Sequence, residues 1–277
     1  MKRIIYKIIN IFVLMQTMFI FSTRSQIVTK ELEAELLVNP NYPTIFEGMS
    51  SNVIIDDNCS LDAFYEKLYQ SKFRGSQDPI SVVHIGDSHV AGRFFPKQVG
   101  DNLEKNFPSV KFSDFGKNGA TFTSFMNSGL LPKVYQQNPD LVILSFGTNE
   151  GYSSTYTGER HYGQIDQLIS TIKEQLPNVL FLLTTPTGCY LKNGKINPKN
   201  GEVARTIVKY ANENNMAAYD LYDVLGGEDY ACQNLKAAKY FRVDGVHFTW
   251  DAYKMQGIML YNAIINGFLD YIENTKQ

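Results

Sequence analysis

Two spacings of apolar residues alternate along this chain. From residue 80 onward, short aliphatic and β-branched runs occur at Ile80–Ile85, Val110–Phe115, Leu141–Phe146, Val179–Thr184 and Ala217–Leu221. Their length and composition predict strands buried on both faces. Between and after these runs the spacing becomes helical. Ile165, Leu168, Ile169, Ile172 and Leu176 fall on one face, Val203, Ile207 and Val208 predict a second helix, and Tyr253 to Ile272 predicts a closing helix through Ile258, Met259, Ile265, Leu269 and Ile272. Such alternation implies parallel strands joined by helical crossovers, with helices covering both sheet faces. The expected architecture is α/β: a three-layer α/β/α sandwich on a five-stranded parallel sheet.

Upstream of residue 80 the pattern differs. Asn39-Pro40-Asn41-Tyr42-Pro43 breaks any regular element, and Ser60 stands where a helix N-cap is expected. Leu61, Phe64, Tyr65, Leu68 and Tyr69 then form one apolar stripe that must pack on the rest of the chain. Arg74 to Pro79 reads as a turn. Residues 26–79 are therefore an extension with one amphipathic helix, and residues 80–277 the main domain.

The first residues change the picture of where the protein acts. Met1-Lys2-Arg3 with Lys7, an apolar stretch from Ile8 to Phe21, and Ser22-Thr23-Arg24-Ser25 have the three-part layout of a secretory signal peptide over residues 1–25. The apolar stretch falls short of the roughly 18 to 20 residues that span a bilayer, so cleavage is expected rather than a stable membrane anchor. The mature protein would then be periplasmic or secreted. Cleavage removes Lys2, Arg3, Lys7 and Arg24 and no acid, which moves the formal charge from −2 to −6. An acidic chain without a basic run offers no footprint for nucleic acid and no polybasic membrane patch, so neutral or small partners are expected.

Of the 277 residues, 44% are hydrophobic and 13% aromatic, enough for one substantial core. Three cysteines, Cys59, Cys189 and Cys232, leave at least one thiol unpaired. Cys189 and Cys232 either bridge or, like Cys59, serve as small buried hydrophobes. None lies in a C-x-x-C or near a histidine, so a metal site has no support.

Candidate chemistry gathers at the strand ends. In open α/β sheets ligands bind beyond the carboxyl ends of the strands. Ser88, in Gly86-Asp87-Ser88-His89, follows the first strand. Gly119 follows the second, in Gly116-Lys117-Asn118-Gly119-Ala120, and Asn149 follows the third, in Gly147-Thr148-Asn149-Glu150. Asp244-Gly245-Val246-His247 lies between the fifth strand and the closing helix, able to fold over the same edge. A serine needs a base to take its proton, and the base needs a carboxylate to orient it. His247 and Asp244 supply both, with Ser88 as nucleophile. Taken singly, Ser88 could be an N-cap, Asn149 a turn residue and Asp244–His247 a surface hydrogen bond; order and position together favour a catalytic site. The second glycine of Gly-x-Ser-x-Gly is missing, which disfavours the lipase-type nucleophile elbow.

These blocks resemble the SGNH hydrolases, also called GDSL-type esterases, from Ile80 to the C-terminus. The resemblance implies a flavodoxin-like sheet and an oxyanion hole formed by the Ser88 N–H, the Gly119 N–H and the Asn149 side chain. His89, where leucine is commoner in the family, is similar to exported bacterial members, several of which act on acetylated cell-wall glycan. His89 is read as either a substrate contact or a cap of local backbone. Tyr152, in a tyrosine-rich loop with Tyr156, His161 and Tyr162, is a candidate for stacking on a sugar. His84 reads as a hydrogen-bonded core residue, and Glu150, adjacent to Asn149, as a supporting anchor rather than a second catalytic acid.

The expected activity is hydrolysis of a short acyl ester, acetyl foremost, on a small-molecule or glycan substrate, with no metal or cofactor required. An O-acyltransferase with the same triad, passing the acyl group to a glycan hydroxyl, and a catalytically silent glycan-binding module are the alternatives.

Overall fold

A computed structural model describes residues 30–276, so the signal peptide expected over residues 1–25 lies outside the described residues. The aliphatic runs pair as a five-stranded parallel sheet. Its strands are β1 (Ile80–Gly86), β2 (Val110–Gly116), β3 (Leu141–Ser145), β4 (Leu180–Thr184) and β5 (Ala217–Tyr219), in the order β2-β1-β3-β4-β5. Side chains alternate across a strand, and the burial follows that rule. Val82, Ile143 and Leu182 join one core; Val83, Val142, Leu144 and Leu183 join the other.

The first core is covered by α1 (Asp62–Arg74), α2 (Phe94–Asn106) and the 26-residue α3 (Trp250–Thr275). The second is covered by two crossover helices, Gly158–Gln175 and Asn200–Glu213. The three-layer sandwich follows, with the crossovers where the helical spacing placed them. Among the described residues no helix is long and apolar enough to cross a membrane.

Strand ends differ from the sequence reading by a residue or two. Phe146 and Val179 are buried but lie outside the ladder. β5 stops at Tyr219 because Asp220 caps the next helical turn, its carboxylate accepting the Asp223 N–H at 3.2 Å. Leu221 is thereby helical. His84 is fully buried on β1, its Nε2 2.7 Å from Ser145 Oγ.

The stripe Leu61, Phe64, Tyr65 and Leu68 is buried, with Tyr65 packed on Phe268 and Tyr271 of α3. Ser60 does not cap α1. Leu61 holds the N-cap position without a side-chain cap, and Asp56 ties down the turn before the helix, accepting from the Ser60 N–H, the Ser60 hydroxyl and the Leu61 N–H at 2.7–2.9 Å. A carboxylate with two oxygens satisfies three donors here, which one hydroxyl cannot. The preceding segment is stitched to the main body: Ile55 exchanges two backbone hydrogen bonds with Ala218 of β5, and Val38 exchanges two with the Asn262 amide of α3.

Cys189 and Cys232 are buried with free thiols; the Asn200 side chain lies 3.5 Å from each sulfur. No bridge joins them, and they act as the small buried residues of the alternative reading. Cys59, in a left-handed turn with φ of 53°, is exposed instead.

Candidate active site

The site is built where β1, β2 and β3 end. At Gly86 a Cβ would lie 2.4 Å from the Ser145 carbonyl oxygen and from Val90 Cγ2, so only glycine lets the chain turn this close to β3. The chain then enters a helical turn, Ser88–Ala91, capped by Asp87, whose carboxylate accepts the His89 N–H at 2.9 Å. Ser88 takes the first helical position, where an N–H has no intrahelical acceptor. Hydroxyl and free N–H are thus offered from one residue.

The loop after β2 lies alongside, since Lys117 N donates to Gly86 O at 3.0 Å. Gly119 has φ of +70°, a conformation that favours glycine, and its N–H has no backbone acceptor among the described residues. After β3, Asn149 sits in a helical turn, Thr148–Tyr152. Its Nδ2 donates to Ala120 O at 2.9 Å and to Asp87 Oδ2 at 3.3 Å. The longer bond is the weaker one and the one a developing oxyanion can displace.

Glu150 locks these loops together, one oxygen accepting the Phe122 N–H at 2.7 Å and the other the Gly147 N–H at 3.1 Å. Asp87 and Glu150 are almost fully buried. Burial pushes both carboxyls up to about 7, against the pull of the N–H groups they accept from.

The fourth block arrives as a tight turn closed by Arg242 N donating to His247 O at 2.7 Å and Gly245 N donating to Arg242 O at 3.0 Å. Asp244 Oδ1 accepts the Val246 and His247 N–H groups at 2.9 Å each, and Oδ2 lies 2.8 Å from His247 Nδ1. His247 Nε2 lies 2.9 Å from Ser88 Oγ. Partial burial acts to raise the Asp244 pKa, but the two backbone N–H groups and the imidazole outweigh it and hold the carboxyl below its ordinary value. Asp244 therefore stays charged. The arrangement can move a proton from Ser88 Oγ to His247 Nε2 while Asp244 stabilises the imidazolium.

Behind this relay, the His89 ring lies 5.4 Å from the His247 ring and 5.4 Å from Phe248, with its Nδ1 2.9 Å from Tyr253 Oη. It does not cap backbone; Asp87 does that. Burial lowers its pKa to about 3, so no second cation stands beside His247 when that ring is protonated.

The relay opens onto a cleft of about 630 Å³ lined by Asn149, Tyr152, Tyr190, Arg242, Asp244 and His247, among others. Tyr152 lines it through its ring, its hydroxyl donating to Tyr190 O. In the rest of the tyrosine-rich loop Tyr162 packs on Tyr210, away from this cleft, and Tyr156 packs on His161 beside a second one. Asn149 also borders that second cleft, of about 480 Å³, lined by Thr121, Thr123, Ser124 and Tyr156. Among the described residues no cluster of three or more His, Cys, Asp or Glu is placed to hold a metal ion.

Sequence reasoning assigned no role to Asp87, Tyr253 or Arg242. Asp87 had a local signal, an aspartate at the N-cap position after a strand. Tyr253 had none, because it meets His89 only through the fold, and Arg242 had none beyond its place in the turn that carries His247.

The model of the GDSL-like lipase/acylhydrolase family matches residues 84–255, more than half the chain. A solved peptidoglycan O-acetylesterase shares the fold with a TM-score of 0.68 at 17% identity, over 77% of this chain and 98% of its own. An acetylxylan esterase from Geobacillus stearothermophilus gives 0.52 at 19% identity, over 69% and 94%. A lipase/acylhydrolase from Enterococcus faecalis gives 0.51 at 18% identity, over 70% and 96%. No match was found among curated protein sequences.

Proposed function

The chain belongs to the GDSL-like lipase/acylhydrolase family and is an ester hydrolase, and on that premise we propose that it removes short acyl groups, acetyl foremost, from carbohydrate through an acyl-Ser88 intermediate. The observation that carries this reading is the relay from Ser88 Oγ to His247 Nε2 at 2.9 Å and from His247 Nδ1 to Asp244 at 2.8 Å.

In the proposed reaction Ser88 Oγ attacks the ester carbonyl as His247 Nε2 takes its proton. The carbonyl oxygen gains negative charge and draws on the N–H groups of Ser88 and Gly119 and on the Asn149 amide. Collapse breaks the bond to the leaving alcohol, which takes the proton from His247. Water then attacks acyl-Ser88 with His247 again as base, releasing the acid and restoring the hydroxyl. The relay is open to solvent, Asp244 and His247 side chains being 50% and 34% exposed, which favours water over a sugar hydroxyl as acceptor.

Carbohydrate is supported by the cleft walls. Two clefts, of about 630 and 480 Å³, share Asn149; Tyr152 and Tyr190 line the larger and Tyr156 with serine and threonine hydroxyls the smaller, walls on which a sugar ring can stack and hydrogen-bond. The structural likeness to a peptidoglycan O-acetylesterase and an acetylxylan esterase makes acetylated glycan the first substrate class to try. The leader-like amino terminus fits a periplasmic or secreted enzyme.

The test is acetate release. Wild-type protein should hydrolyse 4-nitrophenyl acetate and release acetate from O-acetylated peptidoglycan or acetylated xylan, and Ser88→Ala should lower both rates by about 10⁴-fold or more. Unchanged turnover in Ser88→Ala would remove the assignment, and acetylated acceptor without free acetate would make the protein a transferase.

A further inference from the structure

The larger cleft has a charge opposite to that of the chain. Arg242, Lys192 and Lys236 line it, and among the described residues Asp244 is the one carboxylate in its wall, already committed to His247 and two backbone N–H groups. The protein as a whole carries a formal charge of −2. An acidic protein repels anions at long range, so a cationic cleft must be provided locally if an anion is to enter.

The three cations stand on separate pieces of chain, each tied to the catalytic turn. Arg242 belongs to the turn, and its Nε donates to Phe248 O at 2.8 Å, fixing the guanidinium. Its two terminal nitrogens enter no ion pair among the described residues. Lys192 rides on a loop closed by an antiparallel bridge between Tyr190 and Ile196, whose Tyr190 N donates to Gly245 O at 2.8 Å. Lys236 lies in the last turn of the helix Gly227–Ala237, with its ammonium 4.9 Å from the centre of the Tyr190 ring. A guanidinium held at Nε with its terminal donors free, flanked by two ammonium groups, suits a planar oxyanion.

We propose that this cleft is a carboxylate-binding subsite, and that the acyl group is removed from an acidic glycan whose carboxylate seats on Arg242 with Lys192 and Lys236 beside it. The proposal rests on the esterase reading above and names its substrate class. The carboxylate is that of a uronic acid or of a lactyl ether on an amino sugar. Both present the same planar anion next to a sugar ring.

Two matched pairs separate the sources: a mono-O-acetylated methyl glucuronide and its primary amide, and the O-acetylated methyl glycoside of N-acetylmuramic acid and its primary amide. Within a pair the shape is kept while the charge is removed and one acceptor oxygen becomes an N–H donor. In at least one pair kcat/KM should favour the acid by about tenfold or more, as expected for a charge-assisted hydrogen bond. The pair that shows the preference identifies the source. Adding 1 M salt should shrink the preference, because the screening length falls to about 3 Å. Lys192→Gln with Lys236→Gln should reduce it through KM while leaving the Arg242 hold on Phe248 intact, and Arg242→Gln should reduce it further. Calorimetry with Ser88→Ala should show the same preference in Kd.

Equal rates and equal affinities for acid and amide in both pairs, or a preference undiminished in the lysine double variant and in Arg242→Gln, would overturn the subsite. Failure of the esterase reading looks different: no turnover of 4-nitrophenyl acetate by wild type, whatever the calorimetry shows.

Discussion

Two aspartates flank the nucleophile, and their surroundings set them to opposite tasks. Asp244 lies half exposed on a turn, yet two backbone N–H groups and the His247 imidazole hold it below the ordinary carboxylate range. Asp87 is buried beside Ser88, and burial pushes it up to about 7 despite the N–H it accepts from His89. One carboxyl is kept ionised to answer a charge that forms during reaction. The other acts as a fixed acceptor that shapes the loops, and charging it works against the fold. Hydrogen bonds that favour the charged form win where water remains, and desolvation wins where it does not.

The contrast would break if the two residues could be exchanged in effect. Asp244→Asn should cost about 10³- to 10⁴-fold in kcat with little change in melting temperature, since the relay loses its charge and the required imidazole tautomer while a half-exposed site loses little packing. Asn149→Ala should cost about 10²- to 10³-fold in kcat, the loss of one oxyanion donor, with KM for 4-nitrophenyl acetate much less affected. A loss confined to KM would place Asn149 in substrate binding alone.

Asp87→Asn should instead show itself in stability against pH. A carboxyl whose folded pKa of about 7 exceeds its unfolded value stabilises the fold fully at low pH, and that contribution is lost as pH rises through 7. The amide cannot ionise, so the melting temperature of Asp87→Asn relative to wild type should rise between pH 4 and pH 8. Parallel melting curves across that range would mean that Asp87 is not destabilised by burial. The smallest effect is expected from Tyr253→Phe, which removes the hydroxyl 2.9 Å from His89 Nδ1. A severalfold loss in kcat, from about 1 kcal/mol of lost hydrogen bond, would mark His89 as support for His247; no change would leave it as packing.

The fold was legible where one physical rule acts locally. Alternating burial along a strand separates Val82 from Val83, and helical spacing places Ile165, Leu168, Ile169 and Ile172 on one face, so sheet and crossovers could be read directly. Strand ends were less so, because Asp220 ends β5 by capping a helical turn rather than by any break in hydrophobicity. The start of α1 was misplaced by one residue: Leu61 holds the N-cap position without a side-chain cap, and Ser60 is held in the preceding turn by Asp56 instead.

In the site, the motif residues were legible because each follows a strand or lies in one short turn. Their geometry was not. Ser88 and His247 are 159 positions apart, and His89 and Tyr253 are 164 apart. Nothing local in the sequence announces that His89 packs behind His247, or that Asn149 spends its amide on Asp87 and Ala120 before any substrate arrives. The cationic cleft was hidden by averaging: an acidic total charge pointed to neutral partners, while the cations that matter are brought together by the turn at Arg242 and the loop at Lys192.

The proposed chemistry turns on one assignment: Ser88, activated by His247, carries the acyl group. It is tested most directly by titrating wild-type protein with a serine-directed fluorophosphonate while following 4-nitrophenyl acetate hydrolysis. A single adduct on the peptide containing Ser88 is expected, with activity lost in proportion to labelling and labelling greatly slowed in His247→Ala. Full modification of Ser88 with activity retained, or an adduct elsewhere together with an active Ser88→Ala, would contradict it.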